Sequence, residues 1–171
     1  MKLRSFFSIP TKKEIDPFKD QYVFSYEKNQ YGGEKVGSAT MKVPRDCDFI
    51  KNCLQESRTA DRNNLQWGQI GPKLIDRKVK EHHLEHFVLP SSCFYPVNYW
   101  EKDQAINSEI SPSKVAEIQS KAYAIHLWNE MWRRERLTGN FLNRMVKRFT
   151  HHKNRLYARN TLLGQLQRKY L

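Results

Sequence analysis

Short apolar runs and longer amphipathic stretches alternate along this chain. After a polar, irregular lead-in over residues 1–20, residues 22–26 are aromatic and β-branched, which predicts a strand. A second short strand is predicted over 36–43 and a third over 87–89. Residues 123–128 alternate like a buried strand and predict a fourth.

Helical spacing of apolar residues marks the segments between and after these strands. One predicted helix begins near residue 48 and another begins at Pro72, a residue suited to a first helical turn. A short helix over 113–120 has Ser111 or Ser113 as its cap, after a loop over 101–113. The apolar face of a last amphipathic helix is formed by Leu162, Leu163, Leu166 and Tyr170.

Because strands and helices alternate, the pattern predicts a mixed α/β fold. The length of 171 residues fits one domain, and 39% hydrophobic with 12% aromatic residues argues against disorder. Residues 133–159 have only weak helical periodicity.

Positive charge is concentrated at the end of the chain. The net charge is +12, and residues 131–171 carry eleven Lys or Arg against one acid, Glu135, while the first 130 residues carry only +2. This end is either a solvated tail or a surface for an anionic partner: a membrane, a lipid phosphate or glycan acceptor, or nucleic acid. Charge alone does not choose among them.

The sequence gives weak signals about compartment. It has no apolar run of 18 residues, and its first ten residues are too polar for a signal peptide. Cys47, Cys53 and Cys93 are an odd number without CxxC spacing, which favours buried thiols in a reducing environment over disulfides or zinc. We therefore expect a cytoplasmic protein, peripheral to a membrane if its basic end binds one.

Two clusters carry candidate chemistry. In the first, Trp67 and Gly68 precede Gly71 and Pro72. Glycine allows a backbone to approach a ligand closely, and a helix starting at Pro72 would present N–H groups to an anion. The alternative interpretation is an ordinary turn from a loop into a helix.

The second cluster lies at the end of the last predicted strand. A neutral His126 imidazole can ligate a divalent cation or donate a hydrogen bond to a diphosphate. Trp128 can cover a base or a sugar face, and Asn129 follows it. The alternatives are a hydrogen-bonded structural histidine and ordinary core packing of the tryptophan.

Three other patterns are weaker. Asp46 and Asp48 spell an Asp-x-Asp pair, but they begin a predicted amphipathic helix, where acids serve as caps. His82 and His86 have the spacing of a zinc pair, but no glutamate completes an HExxH pattern, which favours a solvated helix end. Glu27, after the first strand, is interpreted as an ordinary surface acid.

Residues 67–74, 88–97 and 122–129, in that order and spacing, resemble the C-terminal region of the family 32 sugar transferases. This group includes the alpha-1,4-glycosyltransferases that make globotriaosylceramide and many bacterial capsule and lipopolysaccharide enzymes. The similarity covers about residues 16–132 and resumes at 162–170.

The resemblance implies the C-terminal portion of a GT-A-like, Rossmann-like fold whose N-terminal nucleotide-binding portion is missing. Residues 1–132 would form a partial catalytic domain, and 133–171 a basic tail whose terminal helix packs on that domain. In the family, a segment similar in sequence to residues 15–18 comes just after the strand that carries the Asp-x-Asp pair. Met1 is therefore expected to begin either a shortened gene product or a fragment.

The resemblance also implies transfer from a nucleotide-sugar, expected to be a UDP-sugar, to a glycan or glycolipid acceptor, with Mn²⁺ or Mg²⁺. His126 matches a metal-site histidine, and no catalytic residue is assigned. The implied substrate-binding residues are Trp67, Gly71, Pro72, Trp128 and Asn129. The chain alone is expected to be weakly active or inactive. The alternatives are a non-catalytic interaction module that binds a membrane or a partner transferase, and a basic nucleic-acid-binding protein, which no recognised motif supports.

Overall fold

A computed structural model describes residues 8–10, 18–128, 131 and 157–170. The chain forms two compact units: residues 13–95, called the middle unit, and residues 1–12 with 96–171, called the end unit. The strands are β1 (Ser8–Pro10), β2 (Phe24–Lys28), β3 (Glu34–Val36), β4 (Val88–Leu89) and β5 (Ala124–His126). The helices are α1 (Asp48–Thr59), α2 (Pro72–Glu81), α3 (Gln104–Asn107), α4 (Pro112–Lys121) and α5 (Leu162–Tyr170). The predicted mixed α/β class is confirmed.

The middle unit packs two helices on a small mixed sheet. The strand order is β3-β2-β4, with β2 antiparallel to β3 and parallel to β4. The apolar faces of α1 and α2 cover the sheet, because burying these faces is the main favourable term available to so short a sheet. The core is formed by Phe24, Val36, Phe49, Cys53, Leu74, Ile75, Val79 and Leu84.

Two predictions about the middle unit were partly wrong. The strand predicted over 36–43 is observed as β3, which ends at Val36 because the chain bends over residues 38–40. The Gly37 N–H still bonds the Ser25 carbonyl of β2 at 2.9 Å, and the Val36 N–H bonds the Asp76 carboxylate of α2 at 2.8 Å. Lys42 forms only an isolated bridge with Val23. The N-cap of α1 is Cys47, without a side-chain cap hydrogen bond.

The end unit joins β1 and β5 with α4 and α5. β1 runs antiparallel to β5, with Ser8 opposite His126, so the lead-in predicted to be irregular contains a strand. The Ser111 side chain accepts a hydrogen bond from the Lys114 N–H, which confirms it as the cap of α4. The core is formed by Val115, Ala122, Ile125, Leu162, Leu163 and Leu166.

The loop predicted over 101–113 has structure of its own. A 3-10 turn at Tyr99–Glu101 leads into α3, and Glu109 bridges Thr161 just before α5. Most of the weakly helical stretch predicted over 133–159 lies outside the described residues, as does the domain boundary predicted at residue 132. Among the described helices, none is both long and apolar enough to cross a bilayer.

Candidate functional site

The Trp67–Pro72 turn of the middle unit holds an aromatic ring at the surface. Gly68 has φ of +76°, a left-handed conformation that glycine adopts without steric cost. Its carbonyl accepts hydrogen bonds from the N–H groups of Gly71 at 3.2 Å and Lys73 at 3.0 Å. Trp67 keeps 56% of its surface exposed. The turn is therefore hydrogen-bonded and presents an open indole.

Amide side chains flank this indole. The Gln66 N–H donates to Gln69 Oε1 at 2.9 Å, and Lys73 Nζ donates to Gln66 Oε1 at 3.4 Å. An exposed aromatic face bordered by amides suits a ligand with both C–H faces and hydroxyl groups. The start of α2 suits an anion less well, because Pro72 has no N–H and the Lys73 N–H is already bonded to Gly68.

His126 ends β5 in the end unit and is a neutral, oriented imidazole. Burial lowers the pKa of His126 to about 4, so the ring is uncharged at neutral pH. Nδ1 accepts a hydrogen bond from the Trp128 N–H at 3.2 Å. In this tautomer the proton sits on Nε2, which makes Nε2 a donor.

Trp128 packs inside the end unit. Only 8% of its surface is exposed, Nε1 donates to the Val97 carbonyl at 2.8 Å, and its ring meets Tyr99 edge-on at 6.0 Å. Its φ of +52° is uncommon for a non-glycine residue, and the indole ring meets the His126 ring at 4.5 Å. This geometry matches the core-packing interpretation of Trp128. Asn129 lies outside the described residues.

Lys102 is a site residue that sequence reasoning missed. It is 8% exposed and shares the lining of a small cavity with His126, Trp128, Val97 and Leu163. Its Nζ lies 3.6 Å from the Asp103 carboxylate. Lys102 and His126 line this cavity together and are called the buried corner; an ammonium and an imidazole N–H are donors suited to an oxyanion. Nothing in the sequence distinguished Lys102, because it fell in a predicted loop.

The described residues do not form a ligand set for Mn²⁺ or Mg²⁺. Within the parts of the chain that the structure describes, no three His, Cys, Asp or Glu side chains lie close enough to hold a metal ion. Asp46 and Asp48 are exposed and lie near Arg45 and Lys51. In the observed tautomer, Nε2 of His126 carries a proton and offers no lone pair to a metal ion. The metal role predicted for His126 stays a prediction.

Two weaker candidates have structural roles. His82 Nε2 lies 3.1 Å from Asn52 Nδ2, and the His82 ring meets Phe49 edge-on. Glu27 is not an ordinary surface acid, because only 14% of its side chain is exposed and Lys35 Nζ lies 3.7 Å away. Burial raises the pKa of Glu27 despite that lysine.

The three motif blocks, residues 67–74, 88–97 and 122–129, all lie within a region that a glycosyltransferase family model matches. The family model described as the alpha 1,4-glycosyltransferase conserved region matches residues 43–169, and the chain belongs to this family. The matched range includes the Trp67–Pro72 turn, Lys102, His126 and all of α5 except its last residue, Tyr170.

Curated relatives agree with this assignment. The lactosylceramide 4-alpha-galactosyltransferases of Rattus norvegicus and Mus musculus are 27% and 28% identical to the chain over 106 residues. These matches cover 56% of the chain and 29% of each relative. The Homo sapiens protein of the same name is 24% identical over 106 residues, with 56% and 30% covered. The chain thus matches less than a third of the length of these relatives. No solved structure matches it.

Proposed function

We propose that this chain is part of a glycosyltransferase that moves a sugar from a nucleotide-sugar to a glycan or glycolipid acceptor. The relatives are named for adding galactose to lactosylceramide, so the proposed donor is UDP-galactose and the proposed acceptor ends in galactose. The observation that carries this proposal is the buried corner, the small cavity that is lined by Lys102 and by a neutral, oriented His126.

Sugar transfer creates negative charge on the leaving diphosphate, and this corner suits that charge. The acceptor hydroxyl attacks the anomeric carbon and releases its proton to solvent. The bond from that carbon to the diphosphate oxygen breaks, and the diphosphate leaves with the electron pair. The Nε2–H of His126 and the ammonium of Lys102 would donate to its oxygens. Such donors are worth more in a buried site than in water, because the local dielectric is low and they are already oriented.

The roles of the other predicted residues follow their exposure. The open indole of Trp67 would cover the C–H face of a sugar, while Gly71 and Pro72 keep its turn in place. Trp128 would act as a positioning residue, since its N–H sets the tautomer of His126. Mn²⁺ or Mg²⁺ would neutralise diphosphate charge in the complete enzyme. Since the described residues form no site for that ion, we expect weak or no transfer by this chain alone.

Calorimetric titration with UDP-galactose, with and without Mn²⁺, tests this proposal. We expect binding that His126→Ala and Lys102→Met each weaken at least tenfold. His126→Gln should retain part of it, because the glutamine amide keeps a donor. His83→Ala is the matched control, since His83 is an exposed histidine of the other unit. Binding by the wild type that none of the site variants weakens would refute the assigned corner.

A non-catalytic role is the second candidate, and the concentration of charge at the end of the chain favours it. A folded chain that does not bind UDP-galactose but binds anionic vesicles would be an interaction module at a membrane. Binding to RNA or DNA at low salt, lost when salt is added, would instead indicate a nucleic-acid partner.

A further inference from the structure

The end unit also contains a cleft of about 250 Å³, which neither Lys102 nor His126 lines. Its floor is apolar and comes from several elements, with Val97, Ile110, Ile118 and Leu162 among its residues. Leu162 and Ile118 belong to α5 and α4, which pack together in the unit's core. Because packed elements build this floor, the cleft is a fixed feature of the fold rather than a gap beside one loop.

The rim of the cleft is polar and has two acids and one cation. Glu101 and Glu109 line it, together with the Gln104 amide, the Ser108 hydroxyl and one cation, Lys114. Asn98 Nδ2 donates to Glu101 Oε2 at 2.8 Å, and Asn160 Nδ2 donates to Glu109 Oε1. Each carboxylate is thereby oriented and still has lone pairs for further donors. Lys114 Nζ is paired with Glu117 at 2.7 Å.

These properties select a class of ligand. A sugar ring has C–H groups for an apolar floor and hydroxyl donors for carboxylate and amide acceptors. The two carboxylates would repel a diphosphate, which makes the cleft a poor place for the donor or for a phosphate headgroup. The volume is below the roughly 300–1,000 Å³ of drug-sized pockets, which suits a small ligand.

We propose that this cleft binds an uncharged sugar unit of the acceptor glycan. The proposal rests on the proposed glycosyltransferase function and adds the place where the acceptor is held. Glu101 and Gln104 would bond its hydroxyls, and Ile110 and Leu162 would contact its C–H face.

Saturation-transfer NMR with lactose as the probe tests the cleft directly. Ser108→Trp should fill the cleft from its exposed edge and weaken lactose binding at least tenfold. Asn107→Trp is the matched control, because Asn107 is the exposed residue just before Ser108, at the end of α3, and does not line the cleft. Glu101→Gln should have a smaller effect, since the amide keeps one acceptor. Galactose 1-phosphate should bind this cleft less well than lactose, because the rim is acidic.

The outcomes separate this inference from the function on which it rests. Lactose binding lost in Ser108→Trp and kept in Asn107→Trp supports the acceptor cleft. Lactose binding that both variants keep, or no lactose binding by the wild type, overturns it. The UDP-galactose titration is run on the same variants. A wild type that binds UDP-galactose but not lactose leaves the proposed function standing, whereas a wild type that binds neither refutes the two together.

Discussion

At the scale of single residues, burial decides what each candidate side chain can do. Trp67 and Trp128 have similar sequence surroundings, each a rigid aromatic beside a turn or a histidine. The structure leaves 56% of Trp67 exposed and only 8% of Trp128. The indole N–H of Trp128 donates to the Val97 carbonyl, which is 31 residues away in the sequence. The sequence therefore predicted the chemistry of these residues but could not predict their exposure.

His126 should make the stability of the chain depend on pH. Its folded pKa, about 4, lies below the ordinary 6.5, so the unfolded chain takes up this proton first as pH falls. Stability from this histidine is present above about pH 6.5 and is lost as pH falls toward 4, by at most about 3 kcal/mol. Urea unfolding at pH 7 and pH 4.5 should show a smaller loss in His126→Gln than in the wild type.

The exposed His83 provides the control for this measurement. His83→Gln should lose as much stability between the two pH values as the wild type does. Equal losses in the wild type and His126→Gln would mean that His126 is solvated in the folded protein.

Gly37 marks a close approach that only glycine allows. A Cβ placed there would lie 2.7 Å from Cζ of Tyr95 and closer still to its hydroxyl. Tyr95 is 2% exposed, so its ring has little room to move. We expect Gly37→Ala to destabilise the chain by about 1–3 kcal/mol in urea unfolding, the usual cost of overpacking a core.

A double-mutant cycle checks the cause of this loss. In a Tyr95→Leu background, Gly37→Ala should cost markedly less, because the overlapping ring atoms are gone. An equal cost in both backgrounds would mean that backbone conformation at Gly37, rather than the tyrosine ring, excludes a side chain.

At the scale of elements, helices were predicted better than strands. The signals for α2, α4 and α5 are local: a proline at the first turn, a serine cap, or an amphipathic face. β1 has no such signal, since it exists through pairing with β5 at the far end of the sequence. At the end of β3, the Val36 N–H bonds Asp76 of α2, 40 residues away in the sequence. Long-range partners set these boundaries, and a local pattern does not contain them.

The cap of α4 gives an element-scale prediction. Ser111 Oγ accepts from the Lys114 N–H at 3.3 Å, and losing such a cap costs about 1 kcal/mol. Ser111→Ala should therefore lower the free energy of unfolding of the end unit by about that amount. The matched change is Ser113→Ala, two residues further along the chain. It should cost less, because Ser113 Oγ bonds only the Ser111 hydroxyl among its described partners. Equal costs would show that the cap bond contributes nothing to stability.

At the scale of the whole molecule, the predicted site residues fall in both units. Trp67, Gly71 and Pro72 belong to the middle unit, while His126 and Trp128 belong to the end unit. Each unit has its own core, so each can be probed by its own variants. The order and spacing of the three motif blocks along the chain were enough to predict the family. It could not predict Lys102 or the acidic cleft, whose residues meet only in the folded unit.

Charge is the property of the whole chain that the site does not explain, and we propose that it serves membrane binding. The last 41 residues carry +10 of the net +12. Each Lys or Arg near an anionic bilayer is worth about 1 kcal/mol, and the attraction falls off within a Debye length of about 8 Å at physiological salt. In sedimentation assays, the chain should bind phosphatidylserine-containing vesicles at low salt, release them at high salt and ignore phosphatidylcholine vesicles.

The position of the charge, rather than its amount, should decide this binding. One variant replaces five basic residues of the tail by glutamine: Arg144, Lys147, Arg148, Lys153 and Arg155. A second variant of equal net charge replaces five exposed lysines elsewhere: Lys19, Lys28, Lys51, Lys73 and Lys121. Only the tail variant should lose vesicle binding, because charges concentrated in one stretch of sequence can approach the same surface together. Equal losses would reduce the effect to net charge, and a tail that binds RNA but no vesicles would assign the basic end to nucleic acid instead of a glycolipid-bearing membrane.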